Sequence, residues 1–98
     1  MTKFLIWSDR ALEEYDKLQD YLYEEWGDEI TQRVILEIAQ TIHRIQNSPE
    51  HFPIFLKRKK IRRCVASPQT SIFFKVNHDV VEILAMFDNR QNTKKRKL

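Results

Sequence analysis

The chain has 98 residues, of which 42% are hydrophobic and 32% charged, with a formal net charge of +3 at pH 7. A chain of this length can bury roughly 60–65% of its unfolded surface, enough for one hydrophobic core, so a second domain is not expected. The opening MTKFLIWSDR has too short an apolar run for a membrane helix or a signal peptide, which predicts a cytoplasmic protein. The single cysteine, Cys64, excludes a disulfide framework and a paired-cysteine zinc site.

Charge is divided unevenly along the chain. Residues 1–56 hold five Lys or Arg and eleven Asp or Glu, whereas residues 57–98 hold twelve and three, giving net charges of −6 and +9. A basic segment of this density suits a polyanion or an acidic protein partner, through long-range attraction and counterion release. The alternative is a solvated surface that only keeps the protein in solution.

The first predicted elements are a strand and a helix. Residues 3–7, KFLIW, form a short apolar run typical of a strand, and Ser8 is suited to cap the helix that follows from about residue 9 to 26. Apolar residues recur in this helix at steps of three and four, which predicts one buried stripe. The stripe consists of Ala11, Tyr15, Leu18, Leu22 and Trp26.

A second helix is predicted directly after the first. Gly27 is the only glycine of the chain and is followed by Asp28, a pairing that favours a left-handed helix end and then a new helix cap. Helical spacing then continues until Asn47-Ser48-Pro49 ends it. The second stripe consists of Ile30, Val34, Ile38, Ile42 and Ile45. The two helices are therefore predicted to form an antiparallel hairpin.

Residues 49–60 contain two prolines and no clear period, so we expect a loop there. Alternation with a period of two then predicts three antiparallel strands, at 61–66, 71–76 and 80–87. We expect one face of the last two strands to cover the hairpin, with the residues Ile72, Phe74, Val76, Val81, Ile83, Ala85 and Phe87. The predicted fold is α+β, in the order β-α-α-β-β-β, as one domain over residues 1–98 with a basic tail from about residue 91.

Side chains for catalysis or metal binding are scattered in the sequence. His43, His51 and His78 fall in a helix, a loop and a turn, and none has an interpretable spacing to Cys64. A lone cysteine in a strand is more often a small buried apolar residue than a nucleophile. No metal site or cofactor is therefore expected, and one glycine cannot form a glycine-rich phosphate loop.

Cations, by contrast, are concentrated in two runs. One runs from Lys57 to Arg63, ahead of and into the second predicted strand, and the other follows the last strand from Arg90. We expect the start of the second strand and the end of the fourth to meet at one end of the sheet, giving one basic surface. Charges that protect the ends of strands from association are the alternative explanation.

The order of these segments resembles the RelE/ParE superfamily, the toxins of type II toxin–antitoxin modules, and within it the ParE-like branch of plasmid stabilisation proteins. The resemblance covers nearly the whole chain and rests on the order and spacing of its segments. They are SDRALEEYDKLQDYLYEEWG, NSPEHFP, IRR, SIFFKV and VEILAMFDNRQN. The resemblance implies a small sheet with a helical hairpin packed on it, a growth-inhibiting activity, and an antitoxin partner that wraps the toxin.

The resemblance leaves two toxic activities open. ParE-like members poison DNA gyrase by binding, whereas RelE-like members cut messenger RNA on the ribosome. In a RelE-like nuclease the implied catalytic residues are Lys57, Lys59, Arg62 or Arg63, and Arg90. That branch often carries a tyrosine beyond the last arginine, where this chain reads QNTKKRKL, with Arg96 near the expected place.

The missing tyrosine favours gyrase binding over cleavage, so whether the chain is an enzyme stays open. The third hypothesis is a non-toxic binding module. The expected target or nucleic-acid contacts are Lys57, Lys59, Arg62, Arg63, Arg90, Lys94, Lys95 and Arg96.

Overall fold

The computed structural model describes residues 2–67, 69–88 and 98. Its elements are β1 (Phe4–Trp7), α1 (Asp9–Asn47), a 3₁₀ turn (Pro49–His51), β2 (Ile54–Leu56), β3 (Ile61–Ser67), β4 (Thr70–Asn77) and β5 (Val80–Asp88). The strands form one sheet in the order β1-β5-β4-β3-β2. β1 is parallel to β5 and the other neighbours are antiparallel. The predicted α+β fold is confirmed, with β2 as an additional short strand inside the expected loop at 49–60.

α1 is sharply bent at Gly27, whose φ of 81° and ψ of 179° are not helical. A straight helix of this length would extend about 58 Å, yet the longest dimension of the protein is 38 Å. The backbone N–H of Lys3, ahead of the helix, donates to the carbonyl of Gln46 at its end, 3.2 Å away. The helix therefore folds back on itself as the predicted hairpin. We call residues 9–26 the first arm and residues 28–47 the second arm.

Ser8 caps the first arm and also attaches it to the sheet. Its hydroxyl accepts a hydrogen bond from the Ala11 N–H at 3.0 Å and donates one to the Leu84 carbonyl at 2.8 Å. Its own backbone N–H donates to the Ile83 carbonyl at 2.9 Å. One small polar residue thus satisfies the orphan amide of a helix start and fixes that helix to β5.

The main core lies between the hairpin and one face of the sheet. Its buried residues are Ala11, Ile38, Ile42, Ile45, Cys64, Ile72, Phe74, Val81, Ile83 and Met86. Both predicted helical stripes contribute, except at the tip of the hairpin. Trp26 and Ile30, which flank Gly27, remain 55% and 37% exposed. The prediction was wrong for these two residues, because the tip lies outside the apolar cluster.

A β-bulge in β5 changes which of its residues face the hairpin. Phe73 pairs with Ala85 and Phe74 with Ile83, so Leu84 is an extra residue without a partner in β4. The extra residue shifts the alternation, and Ala85 and Phe87 point away from the hairpin. The expectation that they would join Val81 and Ile83 on one face was wrong.

Residues on the opposite side of the sheet, here called the open face, form a second apolar cluster. Its buried members are Ile61, Phe73, Ala85 and Phe87, and Leu56, Leu84 and Leu98 pack against them. The Phe73 ring is fully buried and makes edge contacts with Phe55 and Phe87, at centroid distances of 4.9 and 5.4 Å. The sheet is therefore packed with apolar side chains on both faces.

Candidate functional site

The start of β3 and the end of β5 lie at opposite ends of the sheet. β3 and β5 are both antiparallel to β4, so they run in the same direction. Ile61 at the start of β3 is therefore near the start of β5, whereas Asp88 at the end of β5 pairs with Thr70 at the opposite end. The expectation that the start of one strand and the end of the other would meet was wrong, because alternate strands of an antiparallel meander are parallel.

The four consecutive cations of the first run form the exposed turn between β2 and β3. The Lys60 N–H donates to the Lys57 carbonyl at 3.3 Å, and Lys60 has a left-handed φ of 55°. All four side chains from Lys57 to Lys60 are exposed. Lys57 and Lys59, two of the expected contact residues, therefore lie in an exposed hairpin turn.

Arg62 and Arg63 point to opposite sides of the sheet. Arg62 pairs with Phe74, on the hairpin side, and its Nη1 donates to the Phe52 carbonyl at 2.6 Å. Arg63 pairs with Phe73, on the open face, and its Nε donates to the Ser71 hydroxyl at 3.1 Å. The two neighbours thus cannot act together on one ligand at one face of the sheet.

The remaining expected contacts, Arg90, Lys94, Lys95 and Arg96, lie outside the described residues. Within the described chain, Leu98 packs against the apolar cluster of the open face. Its backbone oxygen accepts a hydrogen bond from Lys59 Nζ at 2.6 Å. Lys59, in the first run, therefore contacts Leu98 near the end of the sequence.

Two further cations belong to the open face and were not predicted. Lys75 alternates with Phe73 along β4, and Arg10 at the start of α1 has its guanidinium carbon 5.1 Å from the centre of the Phe87 ring. The alternation of β4 was a signal that could have placed Lys75. Nothing in the sequence indicated Arg10, because its position depends on how α1 leaves the sheet.

Electrostatically, the hairpin and the sheet differ in sign. α1 contains four Lys or Arg and ten Asp or Glu, a net charge of −6, whereas the cations of the open face come mainly from the sheet and its turns.

The first arm also supplies Glu14, whose carboxylate accepts a hydrogen bond from the Met86 N–H at 3.1 Å. This contact lies on β5 beyond its pairing with β1, which ends at Ile83.

Cys64 is buried as predicted, with 3% of its surface exposed. Burial raises the pKa of the Cys64 thiol, an effect that the positive charge of Arg44 reduces. The three histidines lie on α1, the 3₁₀ turn and the β4–β5 turn. Among the described residues, no group of three or more His, Cys, Asp or Glu is placed to hold a metal ion. No helix in the same ranges is long and apolar enough to cross a bilayer.

Comparison with known structures identifies the fold. The chain is similar to a structure described as the chromosomal ParDE toxin–antitoxin system from P. aeruginosa, with 18% identity and a TM-score of 0.74 over 89% of this chain and 96% of that one. It is also similar to a conserved hypothetical protein from Helicobacter pylori, with 21% identity and a TM-score of 0.58 over 93% and 98% of the two chains. A copper-bound mutant toxin from Helicobacter pylori gives 23% identity and a TM-score of 0.56 over 91% and 96%.

The search of curated proteins found no significant match to the sequence. The family comparison is more informative, because it covers most of the chain. Residues 5–93 match the family described as ParE toxin of type II toxin–antitoxin system, parDE. The chain therefore belongs to the ParE toxin family of type II toxin–antitoxin systems.

Proposed function

We propose that this protein is a cytoplasmic toxin that stops growth by binding and poisoning DNA gyrase, and that a cognate antitoxin neutralises it. Family membership supports a type II toxin. The choice of gyrase over messenger RNA rests on the arrangement of the cations. A ribosome-dependent nuclease needs several groups around one phosphate, to accept a proton, stabilise the phosphorane and protonate the leaving oxygen.

The observation that carries this choice is the separation of Arg62 from Arg63. Their guanidinium groups bind the Phe52 carbonyl on one side of the sheet and the Ser71 hydroxyl on the other. Lys57 projects from the exposed β2–β3 turn. Arg62 and Arg63 on opposite faces suit a broad surface contact with a macromolecule, because at most one of the two can belong to a catalytic centre on either face.

The proposed antitoxin contact also has physical support. β1 is an edge strand, and its outward residues Phe4 and Ile6 are 73% and 52% exposed. An extended peptide can pair with such an edge through main-chain hydrogen bonds. The cations of the sheet favour an acidic segment in the partner, since opposite charges accelerate association.

Controlled expression in bacteria tests the proposed target. We expect growth arrest with broken chromosomal DNA and intact messages, reversed by co-expression of the antitoxin from the neighbouring gene. Messages cut at codon boundaries with intact chromosomes would overturn the gyrase assignment and support the nuclease. Unchanged growth at confirmed expression levels would support the non-toxic binding module instead.

Substitution of the arginines tests the proposed surface in the same assay. Alanine at Arg62, Arg63 and Arg90 together should abolish toxicity while the circular dichroism of the hairpin is retained. Full toxicity with a normal melting curve would show that these cations only confer solubility. Single Gln variants of Arg62 and Arg63 then compare the two faces, because each variant removes one charge from one side of the sheet.

A further inference from the structure

The open face contains a hollow of about 480 Å³ that the proposed function does not use. Its lining residues are Ser8, Arg10, Lys59, Ile61, Lys75, Leu84 and Leu98. The three cations come from three separate elements: the start of α1, the β2–β3 turn and β4. Their convergence is therefore a product of the fold and not of a run in the sequence.

The hollow has an apolar side as well as a cationic one. Ile61 is 3% exposed and belongs to the buried cluster of the open face, and Leu84 and Leu98 pack against that cluster. Leu84 is the bulged residue of β5, so the bulge itself supplies part of the lining. A ligand that fits this surface must combine an apolar or aromatic body with a negative group.

Among the described side chains around the hollow, positive charge exceeds negative charge. Two carboxylates lie beside the cations: Glu14 Oε1 is 3.5 Å from Arg10 Nε, and Glu82 is the β5 partner of Lys75. Neither carboxylate lines the hollow, whereas all three cations do. The N-terminal end of α1, capped by Ser8, adds the positive end of a helix dipole.

Lys59 shows where an oxygen ligand would be held. Its ammonium donates to the backbone oxygen of Leu98 at 2.6 Å, so the group already binds an oxygen at the edge of the hollow. A phosphate oxygen would accept a charge-assisted hydrogen bond from the same ammonium. Arg10 and Lys75 would then contribute further donors to the remaining oxygens of the phosphate.

We propose that this hollow, here called the Arg10–Lys59–Lys75 site, binds a nucleoside phosphate. The phosphate lies among the three cations and displaces the Leu98 oxygen from Lys59. The base or ribose packs on Ile61, Leu84 and Leu98. The volume of 480 Å³ lies within the range of about 300–1,000 Å³ that small-molecule sites occupy. This site does not depend on gyrase being the target of the toxin.

Titration calorimetry of the full chain with adenosine monophosphate at low salt tests the site, with inorganic phosphate and adenosine as the other ligands. We expect saturable binding of the nucleotide, weaker binding of phosphate alone and the weakest binding of adenosine. Lys59→Gln and Lys75→Gln should each lower the affinity by about tenfold, since each removes one charge-assisted hydrogen bond. Lys75→Arg, which keeps the charge, should restore most of it.

Lys17→Gln is the matched control, because Lys17 is an exposed lysine of the first arm that pairs with Glu13 at 3.2 Å and does not line the hollow. Its affinity for the nucleotide should stay within about twofold of the unmodified chain. The proposal is overturned if binding of the nucleotide does not saturate, or if Lys17→Gln loses as much affinity as Lys59→Gln and Lys75→Gln do. Equal affinity for phosphate and nucleotide would contradict the role of the apolar lining.

Discussion

Replacing Gly27 by alanine should destabilise the protein through the backbone alone. An added Cβ at this position would meet no atom within 4 Å, so a steric clash does not contribute to the loss of stability. The φ of 81° and ψ of 179° belong to a region that L-residues rarely adopt, at a cost of about 1–3 kcal/mol. The Thr31 hydroxyl donates to the Gly27 carbonyl at 2.7 Å, and Thr31 is fully buried, so the bend is held in place.

Urea denaturation followed by circular dichroism measures this cost directly. We expect Gly27→Ala to lower the free energy of unfolding by about 1–3 kcal/mol, which for a domain of this size lowers the Tm by about 5–20 °C. Asp20→Ala is the control, because Asp20 is exposed in the first arm, where alanine favours the helix. Unchanged or increased stability of Gly27→Ala would show that the hairpin does not depend on a conformation that only glycine adopts easily.

Three further perturbations test the packing around this hairpin. Ile38→Ala should cost about 2–5 kcal/mol in urea denaturation, because Ile38 is 2% exposed in the main core, whereas Leu36→Ala, at a residue 58% exposed, should cost less than about 1 kcal/mol. Equal losses would contradict this assignment of the buried face. Ser8→Ala should cost about 1–3 kcal/mol, since it removes both the helix cap and the hydrogen bond to Leu84, and a neutral result would show that neither bond matters. Cys64 should react with N-ethylmaleimide at neutral pH much faster in urea than in the folded protein. Equal labelling rates in urea and in buffer would show that Cys64 is not buried. Because burial raises the pKa of the folded Cys64 thiol, the unfolded thiol ionises at a lower pH, so the stability of the protein should fall as pH rises past the ordinary thiol pKa.

Most of the fold could be predicted because local patterns and tertiary packing agree. The stripes of the two arms, the cap at Ser8 and the turn at Gly27 each have a local physical cause that the sequence displays. The bulge at Leu84 has no such signal, since all residues from Val80 to Phe87 except Glu82 are apolar and the sequence does not show where the alternation shifts. This extra residue places Ala85 and Phe87 on the open face, where they form part of the second apolar cluster.

The candidate site was less predictable because it depends on the relative direction of the strands and on which face of the sheet each side chain occupies. Treating Arg62 and Arg63 as one basic run overlooked the alternation of a strand, which places adjacent residues on opposite faces. That rule was available from the sequence. The approach of Arg10 to Lys59 and Lys75 was not, because three elements distant in the sequence have to pack before those cations share one hollow.

The proposed binding of the toxin to DNA gyrase can be measured with purified components. Bacterial DNA gyrase, relaxed plasmid DNA and ATP are incubated with increasing amounts of the protein, and the products are separated after treatment with detergent and protease. If the proposed target is right, supercoiling should be lost and linear, cleaved plasmid should accumulate, and the antitoxin should reverse both effects. Normal supercoiling with no cleaved DNA at a large molar excess of folded protein would contradict the proposed target.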